Sequence, residues 1–206
     1  MKSTKLVLSL AVASLAPFAS AQIYVNGTPD LAGGNEMTQW LQAENFTLGA
    51  NNTVGAVRFW SIDAPGVVID GNIDWWIFND AAGAPGSIVA SGTQNTFSRV
   101  ATGNVWGGGI LDEHVWDFNI TGTAVTGGTM YWLGLHVNSD YIRDDIYWET
   151  GAGGAAPTGM ESDGGTMNNW FNNGNEHAFE LYAVPEPSTL IVLGGLAALA
   201  LARRRR

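Results

Sequence analysis

Few residues in this chain have the types and spacing that chemistry requires. Three histidines, His114, His136 and His177, lie far apart and form neither an H-x-H nor an H-E-x-x-H pattern, so neither zinc binding nor a general base is indicated. The chain has no cysteine, which excludes thiolate nucleophiles and disulfides alike. Ser61, Ser91 and Ser98 stand outside any G-x-S-x-G elbow. The 19 acids could supply a carboxylate pair for glycoside hydrolysis, but that pairing is spatial and so many acids offer chance pairs easily. No catalytic residue is assigned, and the protein is expected not to be an enzyme; a glycoside hydrolase is the last of the readings.

Two acidic stretches could donate oxygen ligands to Ca²⁺: Asp70-Gly71-Asn72-Ile73-Asp74 and Asp140-Tyr141-Ile142-Arg143-Asp144-Asp145. The first fails as an EF-hand loop, with Trp75 where glycine is needed and Ala81 at the twelfth position. Acidic turns that keep a β-protein soluble account for the same residues. No cofactor or metal residue is assigned, and Ca²⁺ is the one candidate ion.

The aromatic residues offer a binding chemistry. Trp75, Trp76, Trp106, Trp116, Trp132, Trp148 and Trp170 could stack on the apolar faces of sugar rings, or could fill a core that has no disulfide. Trp76, from strand alternation, and Trp170, from a loop setting, are the expected exposed pair and the candidate sugar contacts. Four N-x-T triplets, at Asn26, Asn45, Asn51 and Asn119, are glycan acceptors only in a host with the machinery.

Charge narrows the partners. The total is −10, but Lys2, Lys5 and the last four arginines hold most of the positive charge. Between them lie only Arg58, Arg99 and Arg143 against all 19 acids, a net charge of about −16 that suits solubility outside the cell. Nucleic acid, which needs a basic surface, is excluded as a partner.

These residues must be positioned by strands. Glycine at 27 residues and nine tryptophans, with few helix formers, point to an all-β protein. Ile23–Gly34 reads as polar and turn-rich. Strand-like runs follow at Trp40–Leu48, Val54–Ile62, Ile73–Asn79, Ser87–Ser91, Phe97–Trp106, His114–Ile120, Met130–Val137, Ile146–Trp148 and Ala178–Val184. About nine strands with regular turns predict a single β-sandwich or jelly-roll-like ectodomain. Ile73–Asn79 is apolar on both faces, which predicts a central strand with cover on its outer side. Gly151–Asn175 reads as a long loop.

Both ends of the chain read as addresses. Lys2 and Lys5, an apolar run from Leu6 to Phe18, and Ala19-Ser20-Ala21 form a signal peptide over residues 1–21. Cleavage by signal peptidase would leave Gln22 first. The ectodomain is expected over residues 22–183. The tail, residues 184–206, opens Val184-Pro185-Glu186-Pro187-Ser188-Thr189, runs apolar from Leu190 to Ala202 and stops at Arg203, Arg204, Arg205 and Arg206. The prolines favour an extended, accessible strip. The apolar run predicts a short hydrophobic helix of roughly 20 Å, less than the roughly 30 Å hydrocarbon core. The arginines form a stop-transfer block that stays cytoplasmic and leaves the preceding domain outside.

Val184-Pro185-Glu186-Pro187-Ser188-Thr189, the apolar run and the arginine block together resemble the PEP-CTERM sorting signal of Gram-negative bacteria. The resemblance implies recognition and removal of the tail by an exosortase, a membrane transpeptidase, alongside exopolysaccharide production. Ile77-Phe78-Asn79-Asp80-Ala81-Ala82-Gly83-Ala84-Pro85-Gly86 and Met130-Tyr131-Trp132-Leu133-Gly134-Leu135 are similar to segments of β-sandwich ectodomains that carry this tail, which bears on the fold and identifies no ligand. The expectation is an exported protein, anchored in the inner membrane until processed, then at the cell surface or in the extracellular matrix. Its expected role is structural or adhesive within exopolysaccharide or biofilm. The alternative is a carbohydrate-binding module.

Overall fold

The computed structural model describes residues 21–69, 71–154, 156–162 and 166–184. Residues 1–20 of the signal peptide, Ala19 among them, Asp70, the motif from Pro185 to Thr189, the hydrophobic helix and the arginine block lie outside the described residues. Among the described residues there is no helix. Thirteen strands follow one another in the described residues: β1 (Gln22–Val25), β2 (Thr28–Glu36), β3 (Leu41–Thr47), β4 (Asn52–Asp63), β5 (Ile73–Asp80), β6 (Pro85–Gln94), β7 (Phe97–Trp106), β8 (Leu111–Val125), β9 (Met130–Val137), β10 (Ile146–Ala152), β11 (Met160–Ser162), β12 (Trp170–Asn172) and β13 (Phe179–Ala183).

They form two antiparallel sheets, one of seven strands and one of six. The larger is built around β4. One edge of β4 pairs with β8 from Asn52↔Val125 to Asp63↔Asp112. Its other edge is shared between β13, which covers Val54 to Phe59, and β10, which covers Ser61 to Asp63. Beyond these, β1 lies outside β13, β2 outside β10 and β7 outside β8. The smaller sheet runs β12-β11-β3-β9-β5-β6.

Alternation along the strands decides what is buried between the sheets. Val57 and Phe59 of β4, Trp116 and Phe118 of β8, Trp148 of β10 and Phe179 of β13 point inward from the larger sheet. Ile73, Trp75 and Ile77 of β5 meet them with Leu133, Leu135 and Val137 of β9. Phe59 is the hub: its ring stacks on Trp116 at 5.4 Å and meets Phe118 and Trp148 edge-on at 6.3 and 6.1 Å. The buried indoles are satisfied, Trp116 Nε1 donating to Ser61 Oγ (2.6 Å) and Trp148 Nε1 to the Ala178 carbonyl (3.0 Å). This aromatic packing replaces the disulfides that the sequence lacks.

The smaller sheet is apolar on its outer face too, as the two-faced pattern of β5 predicts. Leu41, Ala43, Trp76, Phe78 and Trp132 form a second cluster there, covered by Met160, Met167 and Trp170. The cover comes from the stretch expected to be a loop. It contains β11 and β12, which extend the sheet from β3, so the loop reading of Gly151–Asn175 is corrected. Gly134 is fixed by this layer, because an added Cβ would sit 2.7 Å from Cε2 of Phe78. The polar Ile23–Gly34 stretch is likewise corrected: it forms β1 and most of β2, held by pairing to β13 and β10 and not by its own composition.

Truncating the hub leaves a cavity that surrounding strands cannot fill. Phe59→Ala is expected to cost about 3–5 kcal/mol of unfolding free energy, seen in urea as a lower midpoint at unchanged slope. A loss below about 1 kcal/mol would contradict a core centred on this ring.

Candidate functional site

The root of the tail is built at one end of β4. β13 runs antiparallel to β4 and leaves the sheet at Val184, whose N–H donates to the Thr53 carbonyl (3.0 Å). Gly55 and Gly122 make room for it, since a Cβ on Gly55 would lie 2.9 Å from the Val184 nitrogen. The Ala183 N–H donates to the Ala21 carbonyl (2.9 Å), and Gln22 pairs with Tyr182. The start of β1 and the chain's exit toward the tail therefore sit side by side.

The opposite end of the same strand carries a groove of about 550 Å³ on the outer face of the larger sheet. Ile62 lies in its floor, buried but part of neither core cluster. Across the strand order, Trp106 ends β7, Leu111 opens β8, Ile62 belongs to β4, Tyr147 to β10, and Gly33 and Gly34 to β2. Ala64, Pro65, Ile110 and Asp145 complete the lining. Four strand spacings make it about 19 Å wide, and Ile62 lies eight residues beyond Val54, roughly 27 Å from the tail root. The hairpin that places Trp106 depends on Gly107, Gly108 and Gly109, all left-handed (φ 64°, 75° and 96°), with the Ile110 N–H donating to the Trp106 carbonyl (3.0 Å).

Polar groups gather at one edge of the groove. Arg143 Nε donates to Asp145 Oδ1 (3.1 Å), as does the Tyr147 hydroxyl (2.9 Å), and the Arg143 guanidinium also bonds that hydroxyl. The guanidinium carbon lies 5.7 Å from the centre of the Tyr147 ring. Asp145 and Arg143 are both exposed, so the pair is a solvated rim of balanced charge.

Close by in the sheet are buried acids. Glu149, fully buried, accepts the Leu31 N–H at Oε1 (2.9 Å), while its Oε2 has no hydrogen-bond partner. Burial, then the neighbouring Glu113 and Asp30 charges, push its carboxyl up to about 8 against the pull of the Leu31 N–H. Glu113 Oε2 accepts Asn104 Nδ2 (3.0 Å) and the Thr102 hydroxyl. Glu176 is pushed up to about 7, first by burial and then by Glu44. On the inner face, Asp63 holds Arg99 (2.5 Å) and His114 (3.0 Å), both through Oδ2.

The histidines stay apart. His114 is on Asp63; His177 Nδ1 lies 2.8 Å from Glu44 Oε2, both residues fully buried; and His136 Nε2 lies 2.7 Å from the Thr38 carbonyl, its ring stacked on Tyr141 at 3.8 Å. Among the described residues no three His, Asp or Glu side chains group as a metal site. Asp74 instead accepts Asn72 and Thr93, Asp144 accepts Asn138, and Asp140 accepts the Ile142 N–H. Arg58, Arg99 and Arg143 pair with Asp117, Asp63 and Asp145. Of the N-x-T asparagines, Asn26 and Asn45 are buried, and Asn51 and Asn119 are exposed.

The expected pair of exposed tryptophans is corrected. Trp76 is only 8% exposed, beneath the cover of the second cluster, and Trp170 is partly buried, with its ring edge-on to Phe78 at 5.6 Å. Alternation correctly turned Trp76 away from the main core; what it could not show was a second layer over that face. Trp106 is the tryptophan that lines an open groove, and Tyr147, Gly33 and Gly34 join it with no sequence signal beyond the Gly107-Gly108-Gly109 turn.

The shifted groups set a pH profile. The fold favours protonated Glu149 and Glu176, so their contribution is complete below about 4.5 and is lost as pH rises through about 7 and about 8. Burial lowers His136, so its contribution is present above 6.5 and is lost as pH falls through its lowered folded value. Melting temperature should therefore peak in mildly acidic buffer, and Glu149→Gln should flatten the alkaline arm. A wild-type melting temperature that rises from pH 5 to pH 8.5 would contradict the assignment.

The family model described as the PEP-CTERM protein-sorting motif matches residues 183–206. No curated protein matches the chain. The match starts at the last residue of β13 and takes in the exit at Val184, so the sheet ends where the address begins: this chain carries a PEP-CTERM protein-sorting motif, a signal that implies export and cell-surface sorting by an exosortase-type system.

Proposed function

We propose that this protein is a structural or adhesive component of the extracellular polymeric matrix. The observation that carries the reading is the sorting motif at residues 183–206, joined directly to a self-contained sandwich at Val184. In this reading signal peptidase releases Gln22, and the short apolar run holds the protein transiently at the inner membrane. The exosortase then acts in the Pro185–Thr189 strip and frees the domain into exopolysaccharide. The sandwich suits that role: it carries a net charge of about −15 for solubility, and its core needs no redox partner.

A non-enzymatic role fits the site geometry, in which the histidines are separated and each is engaged locally. No metal is required by this reading.

Intact-mass analysis of protein recovered from culture matrix tests it. The expected mass is that of a chain starting at Gln22 and lacking everything beyond the Pro-Glu-Pro region. A chain still ending at Arg206, or protein confined to the cell pellet, would contradict the proposal.

A further inference from the structure

We propose that the Trp106–Tyr147 groove binds a neutral saccharide chain, with pyranose rings lying against the two aromatic side chains; this rests on the matrix reading above and names its contact surface.

Four observations carry it. The groove is open and broad, with an apolar floor of Ile62 and Leu111 and aromatic groups at Trp106 and Tyr147. A pyranose ring presents the complementary shape, a C–H face bordered by hydroxyls. The rim supplies what those hydroxyls need, since the Asp145 carboxylate, the Tyr147 hydroxyl and the Arg143 guanidinium are already held to one another and set acceptors beside donors. A purely apolar peptide or acyl chain would leave that rim unused.

Charge selects the sugar. Arg143 at the groove edge is already paired with Asp145. An anionic polymer would meet a domain of about −15 with no unpaired cation at this rim. A neutral chain meets no such barrier. Position adds the last point: the groove is at the far end of β4 from Val184, so while the tail is held the groove lies at the end of the strand remote from the holding point.

The test uses exported protein recovered from culture, with native affinity electrophoresis in gels containing neutral glucan, mannan or galactan, and an anionic uronan as control. Retardation by at least one neutral polymer is expected, with little by the uronan. Trp106→Ala should weaken retardation at least ten-fold, Trp106→Phe should retain much of it, and Asp145→Asn should weaken it several-fold. All three should melt within about 2 °C of wild type, because Trp106 and Asp145 lie outside both core clusters.

The proposal is overturned if no neutral polymer retards the protein, if retardation survives Trp106→Ala unchanged, or if the uronan binds best. It is also overturned if Trp106→Ala changes the sedimentation coefficient while leaving polysaccharide binding intact, which would make the groove a contact between copies. Processed protein in the matrix without neutral-sugar binding would overturn the groove alone. Unprocessed protein would overturn the reading on which it rests.

Discussion

The structure depends on β4 being bonded along both edges. One edge is continuous with β8; the other is divided between β13 and β10, two strands that come from distant parts of the chain. β4, with β8 alongside it over the same length, therefore spans from the tail root to the groove. At its start the chain leaves for the sorting tail, and at its finish Ile62 floors the groove. Loss of pairing in the middle would separate the two ends from a common frame.

Without disulfides, the core must be stabilised by packing, and aromatic rings bury the most area per residue. Phe59, Trp116, Trp148 and Phe179 gather at the centre of the larger sheet. Polar residues are confined to local pairs. Asp63 with Arg99 and His114, and Glu44 with His177, satisfy most of what they bury. Glu149, like Asp63 and Glu176, keeps one oxygen without a hydrogen bond, and burial pushes its carboxyl up to about 8, which favours the neutral form.

Much of the fold was legible because strands obey a period of two. β7 and β9 were expected at their observed bounds, Phe97–Trp106 and Met130–Val137, and β5 showed its two apolar faces directly. The failures share a cause. β1, β2, β11 and β12 are edge or near-edge strands whose sequences carry polar and turn residues; their conformation comes from the neighbour they pair with, which sequence alone does not reveal. Trp76 is hidden for the same reason, its cover coming from Met160, Met167 and Trp170, more than eighty residues along. The sorting tail, by contrast, is linear chemistry and could be read whole. The groove could not, since it assembles Trp106, Ile62, Tyr147 and Gly34 from four strands.

The tail root and the groove lie at opposite ends of one strand, β4, and both functional readings depend on its rigidity. Because the chain has no native cysteine, Pro65→Cys and Val184→Cys can carry two spin labels cleanly. Pulsed electron–electron resonance should give one narrow distance of about 30–35 Å, the length of β4 at ordinary strand rise. A distribution centred below about 20 Å, or one too broad to define a mean, would contradict the frame on which both functional readings rest.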